Sequence, residues 1–175
     1  MKRHLLIVDD DFVIRRLLEL HYQTLGYICT VAVDGAEALA ILARGQIHVM
    51  ITDLEMPGVD GIALLRSVRK QGLVTRCVVI TGHASIGNLT ACLREGATAL
   101  VPKPLNDLTR LNQAVEQAFE QMLRWAEQMK VIVGLVPKSA PVTARHTVTP
   151  RDDHTPANVP SLSFDTLDPR DDHAR

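Results

Sequence analysis

A fivefold alternation of short apolar runs and segments with helical periodicity most constrains what this chain can fold into. The runs are rich in β-forming residues and predict five strands, at His4–Val8, Tyr27–Val33, Val49–Thr52, Cys77–Ile80 and Ala99–Val101. Strands that are joined by single helices run parallel, because a parallel pair needs a crossover connection. The alternation therefore predicts an α/β fold, in which helices cover both faces of a parallel sheet.

The four segments between these strands carry mostly apolar residues at helical spacing. These residues are Ile14, Leu17, Leu18, His21 and Leu25 in the first segment, Ala36, Leu39 and Leu42 in the second, Ile62, Leu65 and Val68 in the third, and Ile86, Leu89 and Leu93 in the fourth. We expect each helix to turn this face toward the sheet.

A fifth helix is predicted after the last strand, and it extends beyond the sheet. Its apolar residues step by three and four, at Leu108, Leu111, Val115, Ala118, Met122, Trp125, Met129 and Ile132. We expect residues 1–121 to form the folded domain and residues 122–136 to form a helical extension. The exposed end of this heptad seam is either a solvated extension or a surface that pairs with another helix, for example in a homodimer.

The last residues, 137–175, differ in composition from the rest of the chain. They hold six of the nine prolines and few large apolar side chains, so we expect a disordered tail. The pentapeptide PRDDH occurs twice, at 150–154 and 169–173, as a local duplication or as a docking motif for a partner.

Charge and cysteine content argue against several classes of function. Residues 1–130 carry 14 Lys and Arg against 14 Asp and Glu, and 131–175 carry 5 against 6, without the basic excess of nucleic-acid-binding proteins. The three cysteines form no C-x-x-C pair, which argues against a disulfide framework and favours a reducing cytoplasm. The apolar run Leu5–Val8 is too short for a signal sequence or a membrane span.

Polar side chains follow the predicted strands at one edge of the sheet. Asp9, Asp10 and Asp11 follow the first strand, Asp53 the third and Thr81 the fourth, and the fifth strand continues to Lys103. In an open α/β sheet, ligands bind outside the carboxyl ends of the strands. Each residue alone has a simpler explanation, such as a helix N-cap for Asp11, but their joint occurrence indicates a site.

Clustered carboxylates repel each other unless a cation neutralises them, and a set of oxygen ligands suits Mg²⁺. Carboxylates beside an ammonium and a hydroxyl are the groups that phosphoryl transfer to an aspartate needs. The chain has no G-x-x-x-x-G-K-[ST] motif, so a small phosphodonor or a phosphorylated protein is expected instead of a nucleotide.

Five stretches carry a resemblance to a known family: Leu5–Asp11, Ala32–Leu39, Met50–Gly61, Val78–Ser85 and Gly96–Pro104. Together they resemble the CheY-like receiver domain of bacterial two-component response regulators, over about residues 3–120. The resemblance implies a flavodoxin-like (βα)5 fold, a doubly wound parallel sheet with strand order 2-1-3-4-5. It also implies a cis peptide bond before Pro104.

The resemblance further implies the roles of individual residues. It makes Asp53 the phosphoacceptor, and it assigns Mg²⁺ to Asp9, Asp10, Asp53 and the backbone carbonyl of Glu55. Thr81 would bind one phosphoryl oxygen through its hydroxyl group.

Lys103 would neutralise another phosphoryl oxygen. Glu55 and His83 flank the site at positions that influence the rate of dephosphorylation in this family. Leu100 stands where the family usually has Tyr or Phe, so this chain has no aromatic side chain at that position to move with Thr81. Pro102 is also unusual, because it removes a donor from the end of a strand.

The expected function is that of a phosphoacceptor signalling domain, which a sensor histidine kinase or a phosphotransfer protein phosphorylates. No further periodic segment follows the fifth helix, so we expect output through protein contacts and no DNA-binding domain in the chain.

Two alternatives stay open. A phosphohydrolase of the haloacid-dehalogenase type has a D-x-D-x-[TV] motif, which Asp9, Asp11 and Val13 match, but its final acidic pair is absent outside the proline-rich tail. The other alternative is a receiver fold that serves as a scaffold and is never phosphorylated.

Overall fold

The computed structural model describes residues 2–135, in which five strands alternate with five helices. The strands are β1 (His4–Val8), β2 (Ile28–Ala32), β3 (Val49–Asp53), β4 (Arg76–Thr81) and β5 (Ala97–Pro102). The helices are α1 (Phe12–Thr24), α2 (Gly35–Leu42), α3 (Gly61–Lys70), α4 (Ile86–Arg94) and α5 (Thr109–Leu135). All strand pairs are parallel and the sheet order is β2-β1-β3-β4-β5, which confirms the predicted doubly wound fold.

The strand register aligns the carboxyl ends of the three central strands. Val8 of β1 pairs with Thr52 of β3, and Asp53 pairs with Ile80 of β4. The residues that follow β1 and the residues that end β3 and β4 therefore meet at one edge of the sheet. This edge is where the sequence predicts a site.

Two apolar cores lie on opposite faces of the sheet. The first contains residues of α1 and α5, including the fully buried Tyr22 and the almost fully buried Phe119, and the second contains residues of α2, α3 and α4. In α1, Leu18 and Tyr22 are buried, whereas Leu17 and the C-cap residue Leu25 are exposed despite their place on the predicted face.

The expected inward face of α4 is wrong. Ile86 is 87% exposed and Leu93 is 58% exposed, and Leu89 is also exposed. The residues that are buried or half-buried are Asn88, Ala91, Cys92 and Glu95. This helix packs on the edge strand β5 and on its neighbour α3 through small and polar residues, so apolar spacing alone selects the opposite face.

The fifth helix is long, as predicted, and only its first half lies in the core. Leu111, Val115 and Phe119 are buried, and Met122 is the last buried residue of α5 among those described. The divisions at residues 121 and 136 stay predictions. The tail at 137–175, with its repeated pentapeptide, lies outside the described residues.

Within residues 2–135, no helix combines the length and the apolarity that crossing a bilayer requires.

Candidate functional site

Buried polar side chains at the carboxyl edge of the sheet form the candidate site. Asp9 and Thr81 are fully buried, and Asp53 is 6% exposed. Burying a carboxylate is costly unless a partner compensates for the lost hydration. Lys103 is that partner, since its Nζ donates to Asp9 Oδ2 at 2.9 Å and to Asp53 Oδ2 at 2.7 Å.

The electrostatics of this cluster follow from burial and from the two ion pairs. Burial raises the pKa of Asp9, and the hydrogen bond from Lys103 only partly offsets this effect. Burial also disfavours the charged form of Lys103, but its hydrogen bonds to Asp53 and Asp9 outweigh that cost and raise its pKa. The ammonium therefore stays charged at neutral pH and holds the two carboxylates together.

The acidic side chains have the composition and spacing of a magnesium site. One carboxylate oxygen from each of Asp9, Asp10 and Asp53 lies within 4.8 Å of the others. Asp10 is exposed, so the cluster is open to solvent on one side. Three carboxylates with access to water suit Mg²⁺, which keeps several of its own waters.

Asp53 is oriented by the backbone that follows it. Its Oδ1 accepts a hydrogen bond from the Leu54 amide at 2.6 Å and a longer one from the Glu55 amide at 3.4 Å. The Gly61 amide donates to the Leu54 carbonyl at 3.0 Å. A Cβ at Gly61 would collide with the Asp53 carbonyl oxygen and lie 2.8 Å from Leu54 Cα, so only glycine permits this approach.

Thr81 and Lys103 lie on neighbouring strand ends that are linked through the backbone. The Lys103 amide donates to the Thr81 carbonyl at 2.7 Å, and the Thr81 hydroxyl accepts from the His83 amide at 3.0 Å. The peptide bond between Lys103 and Pro104 is cis, as the resemblance implies. Pro102, which lacks a donor, lies on β5 at the edge of the sheet, where a missing amide costs least.

The structure also places the remaining predicted residues. His83 Nδ1 lies 2.8 Å from Glu55 Oε2, and both side chains are more than half exposed at the rim of the site. Leu100 is paired with Val79 on β4 and packs against the second core. It therefore belongs to the α4 and β5 side of the sheet.

Asp11 has a structural role. Its Oδ1 accepts from the Val13 amide at 2.7 Å and from the Ile14 amide at 3.4 Å, so it is the N-cap of α1. Asp11, one of the two acids of the D-x-D-x-[TV] motif in the hydrolase alternative, therefore caps a helix in this structure.

Sequence reasoning missed two residues that support the site. Gly61 was not singled out, although its approach to Asp53 fixes the loop. Arg15 was also missed: its Nη1 donates to the Asp9 carbonyl at 2.6 Å, which places a cation behind the acidic cluster. The available signal was that Arg15 lies one helical turn after the N-cap Asp11, on the same side of α1.

Comparisons with known proteins agree with this geometry. The family model described as the response regulator receiver domain matches residues 5–116. The transcriptional regulatory protein GlrR of Escherichia coli K12 is 35% identical over 129 residues, which are 71% of this chain and 29% of GlrR. The chain thus spans less than a third of that relative's length.

Solved structures give the same result. The signal receiver domain of an HD domain-containing protein from Pseudomonas fluorescens Pf-5 has a TM-score of 0.67 and 27% identity, over 71% of this chain and 99% of that domain. The Thermotoga maritima response regulator TrrA, solved in complex with Mg²⁺ and BeF, has a TM-score of 0.60 and 28% identity, over 66% and 98% of the two chains. The fold, the buried acidic edge and the family match together show that this chain belongs to the response regulator receiver domain family.

Proposed function

We propose that this chain is a phosphoacceptor in a two-component system, and that a sensor histidine kinase or a phosphotransfer protein phosphorylates Asp53. The observation that carries the proposal is the double ion pair of Lys103 with Asp9 and Asp53. It puts a fixed cation beside the one carboxylate that ends a central strand and is also close to two other acids.

The proposed reaction is an in-line displacement. Asp53 Oδ attacks the phosphorus of phosphohistidine, a new P–O bond forms as the P–N bond breaks, and the imidazole nitrogen leaves with the electron pair. Lys103 lies 2.7 Å from Asp53 and would follow the transferred group to one of its oxygens. The backbone amides of Leu54 and Glu55 hold the carboxylate in place.

Asp9, Asp10, Asp53 and the Glu55 carbonyl would hold Mg²⁺, which neutralises charge on the phosphoryl oxygens when it is bound. Thr81 would bind a phosphoryl oxygen once its hydroxyl turns toward Asp53. Because Asp53 takes up one phosphoryl group for each signal, we describe the chain as a phosphoacceptor and not as an enzyme with free turnover.

Output is proposed to pass through protein contacts. Thr81 ends β4 and Leu100 pairs with Val79 on that strand, so a shift at Thr81 reaches the surface that α4 and β5 share. Ile86 and Leu93 of α4 are exposed there and supply an apolar surface for a partner. The reducing cytoplasm is the compartment in which we expect this exchange.

The pair of Glu55 and His83 is proposed to tune dephosphorylation. Their contact of 2.8 Å spans the rim of the site, between the loops that follow β3 and β4. Water that attacks an Asp53 phosphoryl group would pass this rim, so the pair can orient or exclude it.

The intact mass of the chain after treatment with acetyl phosphate and Mg²⁺ tests the proposal. We expect one phosphoryl adduct on the wild type and none on Asp53→Asn, with circular dichroism as the control for folding. Steady phosphate release that survives in Asp53→Asn and is lost in Asp9→Asn would instead support the hydrolase alternative. No adduct with acetyl phosphate or with a phosphorylated kinase would support the scaffold alternative.

The extension of α5 is proposed to pair with the same helix of a second copy. Met129 and Ile132 continue the heptad seam after Met122, the last buried residue described in α5, and they are the positions at which we propose the contact. The neighbouring positions Gln121, Ala126 and Gln128 carry no charge, so no like charges oppose a parallel pair.

A further inference from the structure

A second concave site lies at the edge of the sheet opposite to Asp53. It is a cavity of about 340 Å³, bordered by the loop that leads into β4, by the end of α4 and by Trp125 of α5. Asp53 ends β3, whereas this cavity adjoins Arg76 and Gly96, where β4 and β5 begin. The proposed phosphorylation chemistry uses none of these residues.

Arg76 lines the cavity and brings a guanidinium charge to it. Its Nε is shielded from solvent and has no hydrogen-bond partner within residues 2–135. A buried donor without a partner is destabilising, and such groups are rare in folded proteins. An anionic oxygen in the cavity would pair with the guanidinium charge of Arg76 through its terminal nitrogens, because Nε itself has almost no surface open to a ligand.

The elements around the cavity carry an excess of positive charge. Residues 61–96 contain five cationic side chains and one acid, although the whole chain has a net charge of −1. The acid, Glu95, is shared by Arg66 at 3.1 Å and by Arg69 at 3.4 Å, so it neutralises only one of them. Residues 1–130 as a whole have balanced charge, so this local excess of positive charge is not visible in their total.

The cavity also has an apolar part. Leu65, Val68 and Cys77 are buried and line it, and Val74 is exposed at its border. A purely electrostatic patch would need no such lining. A cavity that joins apolar walls to a guanidinium without an ion-pair partner among the described residues matches a ligand with a carboxylate close to an apolar side chain.

We infer that this cavity, which we call the Arg76 pocket, binds an acidic segment of a partner protein. Carboxylates of the segment pair with Arg76 and Arg69, and one apolar side chain occupies the space beside Trp125. A nucleic acid is the weaker match, since the chain holds 20 acidic residues against 19 Lys and Arg and the site is concave and apolar-lined. The chain's own residues 138–175 are also a weak match, with five Lys and Arg against six Asp.

The inference does not depend on phosphorylation of Asp53, because the Arg76 pocket and Asp53 lie at opposite edges of the sheet. Failure of acetyl phosphate to modify Asp53 would leave it intact, and its own failure would leave the phosphoacceptor proposal intact.

Trp125 supplies the readout, since it is the one tryptophan of the chain and lines the pocket. The full-length chain is titrated with an acetylated peptide of six glutamates around a central leucine, while tryptophan emission and heat of binding are recorded. We expect a saturable change that weakens as salt is added, because the pairing is largely electrostatic. A peptide with glutamine in place of each glutamate should not bind.

Variants locate the site. Arg76→Gln should weaken binding by at least about tenfold, which corresponds to the loss of one charge-assisted hydrogen bond. Val74→Glu places a negative charge at the exposed border of the pocket. It should also weaken binding of the acidic peptide, and a substitution at an exposed position should leave the fold intact. Arg16→Gln is the matched control, because Arg16 lies on α1 and pairs with Glu19 at 2.7 Å.

Several results would overturn the inference. They are the absence of saturable binding, equal binding of the glutamine peptide, and equal loss of binding in Arg16→Gln. Displacement of the peptide by a short DNA duplex that binds more tightly would identify a nucleic-acid site instead. A change in the emission of the free chain on Asp152→Asn with Asp153→Asn would identify the chain's own tail as the occupant.

Discussion

At the scale of single residues, the geometry of Asp53 depends on a glycine that carries no chemistry. Gly61 begins α3, and its backbone lies against the carbonyl of Asp53 and the Cα of Leu54. The α3 helix can therefore begin directly beside the candidate phosphoacceptor. A side chain at this position would push the loop away from the site.

We expect Gly61→Ala to lower the free energy of unfolding by about 2 kcal/mol or more, because backbone atoms on both sides must move. It should also slow phosphorylation of Asp53 by acetyl phosphate. Urea denaturation and intact mass measure the two effects.

Gly87→Ala is the matched control. A Cβ there would meet only Ser85 Oγ, at an ordinary distance of 3.7 Å, and Gly87 lies in the first turn of α4. This change should stabilise the chain by up to about 0.5 kcal/mol through helix propensity. Equal effects of the two substitutions would show that the close approach of Gly61 is unimportant.

His48 makes stability depend on pH. Burial lowers its pKa, the nearby His4 lowers it further, and its Nδ1 accepts a hydrogen bond from the His4 amide at 3.1 Å. Protonation would remove that acceptor. Because the folded pKa lies below the unfolded value of about 6.5, His48 contributes stability above that pH and loses it as the pH falls.

We therefore expect the wild type to lose more stability than His48→Asn between pH 7 and pH 5, in urea denaturation at each pH. His83→Asn is the control, because His83 is largely exposed and has no part in this contact. Parallel pH profiles of the wild type and His48→Asn would rule out this role of His48.

At the scale of secondary structure elements, α5 changes environment along its length. It belongs to the core as far as Met122, whereas Val131 is 60% exposed and Ile132 is 53% exposed. The two residues are adjacent and similarly exposed, but only Ile132 lies on the heptad seam. Substitutions at these two residues therefore distinguish pairing through the heptad seam from nonspecific association of exposed apolar side chains.

We expect Ile132→Glu to convert the dimer in solution to a monomer, because a carboxylate would be buried against the facing helix. Val131→Glu should leave the mass unchanged. Light scattering during size-exclusion chromatography measures both. A monomeric wild type would contradict the pairing, and equal loss in both variants would place the contact off the seam.

Elements that obey a simple period were predictable from the sequence. The central strands are continuous apolar runs with polar residues at their ends, so both their positions and the edge holding Asp9, Asp53 and Thr81 could be predicted. The inward face of α4 could not be predicted in this way, because Ala91 and Cys92 face inward against the edge strand whereas Leu89 and Leu93 are exposed. Gly61 escaped prediction because its approach to Asp53 is a property of the assembled loop.

At the scale of the whole molecule, the two edges of the sheet carry opposite charge. The carboxyl edge gathers the acidic cluster of Asp9, Asp10 and Asp53, and the amino ends of β4 and β5 lie in the basic patch around the Arg76 pocket. The helix α5 runs between them, from Thr109 near the acidic edge to Trp125 at the pocket. A partner at one edge therefore leaves the other edge free.

The acidic edge also links global stability to a cation. Lys103 is the counter-ion that the fold supplies, and its side chain is only 20% exposed. Lys103→Met leaves two buried carboxylates unpaired, so we expect a loss of about 3–5 kcal/mol in unfolding free energy in the presence of EDTA. Mg²⁺ should restore part of this loss, because it binds the folded acidic cluster and not the unfolded chain.

The gain in stability on adding Mg²⁺ should thus be larger in Lys103→Met than in the wild type, where the ammonium already neutralises part of the charge. Urea denaturation with EDTA and with excess Mg²⁺ measures this difference. Lys130→Met is the control, since Lys130 is exposed and pairs only with Glu127 among the described residues. If Mg²⁺ stabilised Lys103→Met and Lys130→Met equally, the ion would not act at the acidic cluster.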